Sequence, residues 1–274
     1  MHGEVAALRA HPGFGRVLVQ SADFILSTYS GNRLLNRVLN DRGRLLFCFL
    51  VLYLDALPEE AGGGLTVGRM VGLCQETGVC SRGRAKAMMA LMRWGGYLEA
   101  LPPAGDRRVK PLVPTAHMRA EFRSRWRAQL GFLAGVDAVA GRALARLDEE
   151  AFFGALAIAF IDGFRAGFRV LRFAPDFSLI SDRDGGALVL ISLFLAGRQG
   201  QVPPSVADLA RQFHISRAQV LQILKDCGAE GLLEREGASG AGRLTSRGEE
   251  AIADFFASFL AYYLHVSRRA LGEA

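Results

Sequence analysis

Two short segments of the sequence combine a serine with closely spaced basic and amide side chains. The first begins at Ser81 and the second begins at Ser216. Guanidinium and ammonium groups bind anionic oxygens, and guanidinium and carboxamide groups also form paired hydrogen bonds with planar polar edges. Both segments are therefore candidates for binding a polyanion. Their candidate binding residues are Ser81, Arg82, Arg84 and Lys86 in the first, and Ser216, Arg217, Gln219, Gln222 and Lys225 in the second.

Local patterns predict that each segment opens a helix after a tight turn. Ser81 and Ser216 stand where N-cap residues are preferred, because a serine hydroxyl accepts a hydrogen bond from the backbone of the first helical turn. A short amphipathic helix is predicted just before each turn, over Val67–Thr77 and over Ser205–Phe213. Two short helices across a turn are the elements that would hold the candidate binding residues in place.

The same order of elements occurs twice along the chain. An apolar run precedes each pair of short helices, at Leu45–Leu54 and at Ala187–Ala196. Each pair is followed by a similar segment, Gly96–Glu99 in one copy and Gly231–Glu234 in the other. Self-similarity at this length predicts an internal duplication. The seam of this duplication is expected near residue 140.

The repeated pattern predicts a mainly α fold with two domains, 1–140 and 141–274. Each domain is expected to hold three helices and a short hairpin, which is the winged helix-turn-helix arrangement. Long amphipathic helices flank each copy, and β structure is expected only in the short wings. In such a fold the third helix enters the major groove of DNA by its N-terminal residues.

The predicted wings resemble those of MarR-type regulators. In the first copy Asp106, Arg107, Arg108 and Lys110 are similar to the Asp-x-Arg wing tip of that family. In the second copy Arg243–Gly248 is similar to its Leu-Thr-x-x-Gly segment. The resemblance implies that Arg108 enters the minor groove with Asp106 holding it in place. It also implies DNA contacts for Arg107, Lys110 and Arg243.

The sequence departs from the family pattern in both copies. The first copy has Pro114 where the family prefers leucine and Met118 where it prefers glycine, and the second copy lacks the Asp-x-Arg tip. MarR-type proteins bind DNA as two-fold dimers. A chain with two copies is therefore expected to act as a monomeric pseudo-dimer or as a homodimer of such chains.

The charge distribution predicts that the two copies bind DNA unequally. The whole chain carries a formal net charge of +6. Residues 1–140 hold 18 Lys or Arg and 11 Asp or Glu, a net charge of +7, whereas residues 141–274 hold 15 and 16, a net charge of −1. Because attraction to phosphates supplies much of DNA affinity, the first copy is expected to make the stronger contact.

These observations predict a sequence-specific regulator of transcription that binds double-stranded DNA. Two alternatives stay open: a tandem winged-helix adaptor of the chromosome-segregation type that binds a protein partner, and a plasmid-type replication initiator. A small-molecule effector is a further open alternative, because family members place effector pockets near helices such as the Phe-rich segment 152–173. That segment is otherwise expected to form interface core.

No pattern in the sequence predicts an enzyme. It contains no phosphate-binding Gly-rich loop with Lys, no nucleophile elbow and no metal-type His pair, so neither a metal site nor a cofactor is expected. The apolar runs are too short to span a bilayer, and the first ten residues lack the pattern of a secretory signal. The expected location is the cytoplasm, with no membrane partner.

Two features have competing interpretations. Cys80 lies beside Arg82 at a predicted helix start, where it is either a redox-sensitive thiol or an ordinary half-buried cysteine. The arginines of the long helix around Trp126 form either a solvated face or a contact with the backbone of flanking DNA. These arginines are Arg119, Arg123, Arg125 and Arg127.

Overall fold

The structure, a computed structural model, describes residues 1–29, 42–102, 110–181, 183, 185–234 and 242–273. It is mainly helical, as predicted. Within the described ranges no helix is both long and apolar enough to cross a membrane. The helices are α1 (His2–Ala10), α2 (Phe14–Tyr29), α3 (Arg42–Ala56), α4 (Val67–Thr77), α5 (Arg82–Trp94), α6 (Ala116–Leu133), α7 (Ala138–Arg146), α8 (Glu150–Arg165), α9 (Pro175–Ser181), α10 (Gly186–Arg198), α11 (Val206–Phe213), α12 (Arg217–Ala229) and α13 (Ser246–Leu271), with 3-10 turns at Glu59–Ala61 and Val170–Phe173.

Strands form two short antiparallel hairpins in the part of the chain that the structure describes. In the first, β1 (Leu98–Ala100) pairs with β2 (Leu112–Pro114), and Leu65 adds an isolated bridge to Leu112. In the second, β3 (Leu233–Glu234) pairs with β4 (Arg243–Leu244). The predicted confinement of β structure to short hairpins is confirmed for these residues.

The chain divides into two compact units that differ from the predicted domains 1–140 and 141–274. One unit contains Arg42–Phe168 with Leu264–Ala274, and we call it the α5 unit. The other contains Met1–Asp41 with Arg169–Tyr263, and we call it the α12 unit. Each unit therefore combines most of one predicted repeat with chain from the other.

The core of the α5 unit is built around α3, which is apolar on all sides and therefore needs cover on all sides. Helix α8 packs along α3, and Phe49 stacks on Phe160 with ring centroids 4.1 Å apart. Phe49 also meets the edge of Phe122 at 5.1 Å, which brings α6 onto the same cluster. Helix α7 packs on α6. The C-terminal end of the chain also belongs to this unit, where Arg268 pairs with Asp137 at 2.7 Å.

The core of the α12 unit is built around α10, whose residues from Leu188 to Ala196 are all buried. Helix α2 packs against α10. A second aromatic cluster joins α9 to α13, where Phe177 stacks on Phe255 at 4.3 Å and Phe255 stacks on Phe259 at 5.9 Å. The α1 helix is tied to α13 by Arg9, which pairs with Glu250.

The packing of two helices explains why the units differ from the predicted domains. Helix α2 lies in the first predicted repeat and packs on α10 of the second, whereas α8 lies in the second and packs on α3 of the first. The first long helix of each repeat thus covers the apolar helix of the other. A boundary at residue 140 separates each of these helices from the surface that buries it.

Candidate nucleic-acid interface

The N-terminus of α5 is positioned by two caps and a left-handed turn residue. Thr66 caps α4 by accepting a hydrogen bond from the Arg69 amide at 3.1 Å. Helix α4 is followed by its C-cap Gly78, whose φ of 68° is in the left-handed region that favours glycine. Ser81 then caps α5 by accepting a hydrogen bond from the Arg84 amide at 3.4 Å. The predicted N-cap at Ser81 is therefore confirmed.

The predicted binding residues of α5 lie on its exposed side. Ser81, Arg82, Arg84 and Lys86 are all exposed. The opposite side of α5 is buried and apolar, and it consists of Ala85, Met88, Met89 and Met92. Among the described residues neither Arg82 nor Lys86 has an ion-pair partner, so both cations face solvent. Helix α5 contains four basic residues and no acidic one.

The corresponding start of α12 is built in the same way. Ser216 caps α12 by accepting a hydrogen bond from the Gln219 amide at 3.1 Å. The preceding helix α11 is followed by its C-cap His214, which has a φ of 55° and is the one non-glycine residue with positive φ in the described chain. In each turn the residue after the left-handed one donates a backbone hydrogen bond to the end of the preceding helix. The Val79 amide donates to the Cys74 carbonyl at 3.1 Å, and the Ile215 amide donates to the Ala210 carbonyl at 3.2 Å.

The candidate residues on α12 differ from those on α5 in charge. Arg217, Gln222 and Lys225 are exposed, and Gln219 is half-buried. Gln222 Nε2 donates a hydrogen bond of 2.8 Å to Asp226 Oδ1, so this amide is already engaged within its own helix. Asp226 also pairs with Arg183 at 2.6 Å. Helix α12 has two basic residues and one acidic one.

A threonine closes each hairpin onto the long helix that follows. Thr115 donates to the Gly96 carbonyl at 2.8 Å and accepts from the Met118 amide at 3.3 Å. Thr245 donates to the Gly231 carbonyl at 2.8 Å and accepts from the Gly248 amide at 3.1 Å. These matching bonds agree with the predicted duplication.

Glycine and methionine occupy equivalent positions after these two threonines. A Cβ atom at Gly248 would lie 2.2 Å from the Leu232 carbonyl oxygen, so the backbone there leaves no room for a side chain. In the α5 unit the same position is Met118, which is fully buried. The departure from glycine at Met118 therefore adds a core side chain.

The hairpins contribute fewer described candidates than the helices. Lys110 is exposed just before β2, and Arg243 is exposed at the start of β4. The predicted wing-tip residues Asp106, Arg107 and Arg108 lie outside the described residues. Their assigned roles stay predictions.

The arginines of α6 are engaged in ion pairs inside the α5 unit. Arg119 pairs with Asp55, and Arg123 pairs with Glu150 at 2.7 Å. The remaining pairs join Arg127 to Asp148 at 2.6 Å and Arg125 to Glu121 at 3.1 Å. The pairs of Arg119 and Arg123 connect α6 to α3 and α8, a role that the sequence did not reveal because their acidic partners are distant along the chain.

A cavity of about 540 Å³ lies between α3, α6 and α8 in the α5 unit. Its walls are largely apolar and include Leu52 and Phe153, and its polar side is formed by Asp55, Arg119 and Glu150. Burial raises the pKa of the Asp55 carboxyl, and the nearby Arg119 guanidinium opposes this shift. Because the three charged groups bind one another, the cavity presents no charged group dedicated to a ligand.

Comparisons with known proteins found no relative. No protein-family model matches the chain, and neither the curated proteins nor the solved structures gave a match. Among the described residues, no three His, Cys, Asp or Glu side chains are grouped to hold a metal ion. The observations that bear on function are therefore the geometry and charge of the two capped helices.

Proposed function

We propose that this protein is a sequence-specific regulator of transcription that binds double-stranded DNA through two winged helix-turn-helix modules. The observation that carries the proposal is the exposed start of α5. There a capped helix N-terminus presents Arg82, Arg84 and Lys86 on a side with no acidic residue. Such a surface is suited to a polyanion, because basic side chains that bind phosphates release the counterions condensed on them.

The order of elements around α5 supports insertion of this helix into a groove. Helices α3, α4 and α5 are followed by the β1–β2 hairpin, and Leu65 pairs with Leu112 at the hairpin's edge. In winged helix-turn-helix proteins the third helix enters the major groove by its N-terminal residues. Arg82 and Arg84 would contact guanine edges or phosphates there, and the partial positive charge of the helix N-terminus adds attraction for phosphate.

The differences between α5 and α12 support unequal roles for the two modules. Gln222 would have to leave Asp226 before it could bond a base, and Asp226 places a negative charge on the same helix. The engaged Gln222 amide and the negative charge of Asp226 each reduce the affinity of α12 for a polyanion. We therefore assign the stronger DNA contact to the α5 unit and the weaker one to the α12 unit.

The charge balance of α12 also favours a second candidate function. A helix with paired amide and carboxylate groups is suited to contact with another protein, so the chain could serve as a tandem winged-helix adaptor. If the chain is an adaptor, the basic start of α5 has no assigned role. That difference makes the regulator the better-supported proposal.

The test is a genome-wide pull-down of DNA fragments with the purified full chain, followed by titration of the best fragment at several salt concentrations. A recurrent motif upstream of genes, with affinity that falls steeply as salt rises, is the expected result. Enrichment of a replication origin alone would assign the protein to initiation instead. No enrichment, with only weak binding that ignores sequence, would overturn the proposal and favour the adaptor.

A matched pair of variants separates the two modules. Arg82→Ala with Lys86→Ala and Arg217→Ala with Lys225→Ala each remove two exposed cations from one helix. We expect the α5 variant to lose the larger share of DNA affinity. Equal losses would contradict the assigned asymmetry, and no loss in either variant would contradict the assignment of both recognition helices.

A further inference from the structure

Helices α5 and α12 bury the same positions. Counted from the N-cap serine, Ser81 or Ser216, the buried residues stand four, seven, eight and eleven positions later in both helices. They are Ala85, Met88, Met89 and Met92 in α5, and Val220, Ile223, Leu224 and Cys227 in α12. Both helices are also 13 residues long. Each exposed position of α5 therefore has a defined equivalent in α12.

One pair of equivalent positions exchanges a cation for an apolar side chain. The fifth residue after the cap is Lys86 in α5 and Leu221 in α12, and both are exposed. Leu221 is 41% exposed, which is unusual for a large apolar side chain in this protein. The first residue after the cap is an arginine in both helices, Arg82 and Arg217. Helix α12 therefore keeps the cation at its start but presents a hydrocarbon group one turn further along.

Leu221 lies between two cations on one face of α12. Arg217 stands four residues before it and Lys225 four residues after it, and residues four apart share a helix face. All three side chains are exposed. Among the described residues of α12, Leu221 is the one large apolar side chain that is exposed. A docking surface for a protein is a contiguous apolar patch, whereas a single leucine flanked by cations suits a groove that has bases at its floor and phosphates at its edges.

We propose that Leu221 is a specificity-determining residue, through which α12 contacts the C5-methyl group of a thymine in the major groove. This contact rests on the proposed function, in which α12 enters that groove as α5 does. In the major groove thymine presents a methyl group, whereas guanine presents two acceptors, N7 and O6.

The exchange between Lys86 and Leu221 then gives the two modules different base preferences. The Lys86 ammonium donates to the guanine acceptors, whereas the Leu221 side chain covers the thymine methyl group and excludes water from it. At this one equivalent position the α5 unit selects guanine and the α12 unit selects thymine. The preferred DNA site is therefore asymmetric.

The first experiment removes the methyl group from the DNA and leaves the protein unchanged. The preferred site is selected from random double-stranded DNA with the full chain, and each of its thymines is replaced in turn by deoxyuridine, which lacks only the C5-methyl group. Replacement at one position is expected to weaken binding about fourfold, which corresponds to about 0.8 kcal/mol for one buried carbon group.

The matched variant for this experiment is Leu221→Ala, which removes the group that covers the methyl. It is expected to bind the thymine and deoxyuridine forms of that position equally, because its contact with the methyl group is already lost. If no replacement weakens binding by the wild type, or if Leu221→Ala loses as much affinity at every position, the proposal is overturned.

The second experiment exchanges the two side chains. Leu221→Lys is expected to select guanine in place of that thymine, with a preference of at least about fivefold, the low end for a base-specific pair. Lys86→Leu should make the reverse change at a different position of the site. The control is Ala229→Lys, which adds the same charge at the exposed end of α12 and should select the wild-type site. An unchanged site with Leu221→Lys, or the same change with Ala229→Lys, overturns the proposal.

Failure of the thymine contact and failure of the proposed function give different results. A wild-type chain that selects no DNA sequence overturns both. A selected site that changes with Lys86→Leu but not with Leu221→Lys overturns only the thymine contact and assigns Leu221 to a protein partner. Thermal unfolding first verifies that each variant is folded. If a variant does not fold, the deoxyuridine series with the wild-type chain decides, because a site with no sensitive thymine overturns the contact without any substitution.

Discussion

The position of a cation along α5 determines what its removal should change. Arg82 lies at the helix start and Arg93 at its last turn, and both are exposed. At about 1.5 Å per residue the two are roughly 16 Å apart along the axis. Only the first lies where a recognition helix meets base edges. An arginine at the start of α5 should therefore contribute much more to DNA affinity than an arginine at its end.

We expect Arg82→Ala to weaken binding of the preferred DNA fragment by about 1–3 kcal/mol, the usual range for an arginine that contacts bases. Arg93→Ala removes the same charge from the same helix and is the control, with a loss well below that range. Fluorescence titration at fixed salt measures both. Equal effects would mean that the helix acts only through its net charge, and the orientation of α5 in the groove would have to be abandoned.

A second residue-scale prediction concerns the two left-handed turn residues. For an L-residue the left-handed conformation is about 1–2 kcal/mol less favourable than its usual backbone region, whereas for glycine it carries no such penalty. Gly78→Ala should therefore destabilise the α4–α5 turn, and no atom lies within 4 Å of the added Cβ to complicate the effect. His214→Gly should stabilise the α11–α12 turn. Part of this stabilisation is offset by the conformational entropy that glycine loses on folding.

Urea unfolding monitored by circular dichroism measures both changes in the free energy of unfolding. Opposite signs are expected for the two substitutions, since one introduces the strain and the other relieves it. A stabilising Gly78→Ala substitution would show that the positive φ of the turn is not maintained in solution.

At the scale of elements, local sequence signals predicted where the helices start. The helix predicted over Val67–Thr77 is found over those residues, and the predicted N-caps Ser81 and Ser216 accept the expected hydrogen bonds. These features depend on chemistry within a few residues of one another, which is why the sequence contains them. The start of the candidate site was predictable for the same reason.

Pairs of elements that are distant in sequence were not predictable in this way. For the arginines around Trp126 the sequence favoured a solvated face, with contact to DNA backbone as the alternative, and the structure places Asp55, Asp148 and Glu150 opposite them. Helical periodicity identifies which face of a helix is buried, but it carries no information about which helix covers that face.

An ion pair between two helices predicts how the stability of the fold depends on pH. Arg247 of α13 binds Asp176 of α9 through two hydrogen bonds of 2.7 and 2.8 Å, and this contact lowers the pKa of the Asp176 carboxyl below its usual 3.8. A lowered pKa in the folded state means that the pair stabilises the fold above the unfolded pKa. That stabilisation is lost as the pH falls through the folded pKa.

We expect Asp176→Asn to lower the free energy of unfolding at pH 7 by about 0.5 kcal/mol, a small value because the pair is partly exposed to solvent. The difference between variant and wild type should shrink as the pH falls below the pKa of the unfolded carboxyl, and it should disappear below the lower pKa of the folded state. Thermal unfolding at a series of pH values tests this. A difference that persists undiminished in strong acid would assign the effect of the substitution to packing.

At the scale of the whole molecule, the exchange of α2 and α8 between the repeats is the feature that the sequence concealed. Each repeat contains an apolar helix, α3 or α10, and each also contains a long helix able to cover one. The sequence pattern is equally consistent with a long helix that covers the apolar helix of its own repeat and with one that covers the apolar helix of the other repeat. The structure has the second arrangement, and this makes each compact unit dependent on chain from both halves.

This dependence predicts that the two halves of the sequence do not fold alone. A fragment of residues 1–140 retains α3 but lacks α8, so Phe49 loses its stacking partner Phe160. Exposure of one large apolar side chain costs about 1.5–3 kcal/mol, and an entire face of α3 is exposed together with Phe49. Because the whole stability of a domain is only about 5–15 kcal/mol, we expect this fragment to lack cooperative unfolding.

Co-expression provides the matched control, since fragments 1–140 and 141–274 together contain every residue of both units, with α7 cut after its third residue. We expect the pair to copurify and to unfold cooperatively, whereas each fragment alone aggregates or shows no folded near-ultraviolet spectrum. A fragment 1–140 that is monomeric and unfolds cooperatively by itself would show that α3 is covered within its own repeat. The helix exchange would then be wrong, and residue 140 would be a true domain boundary.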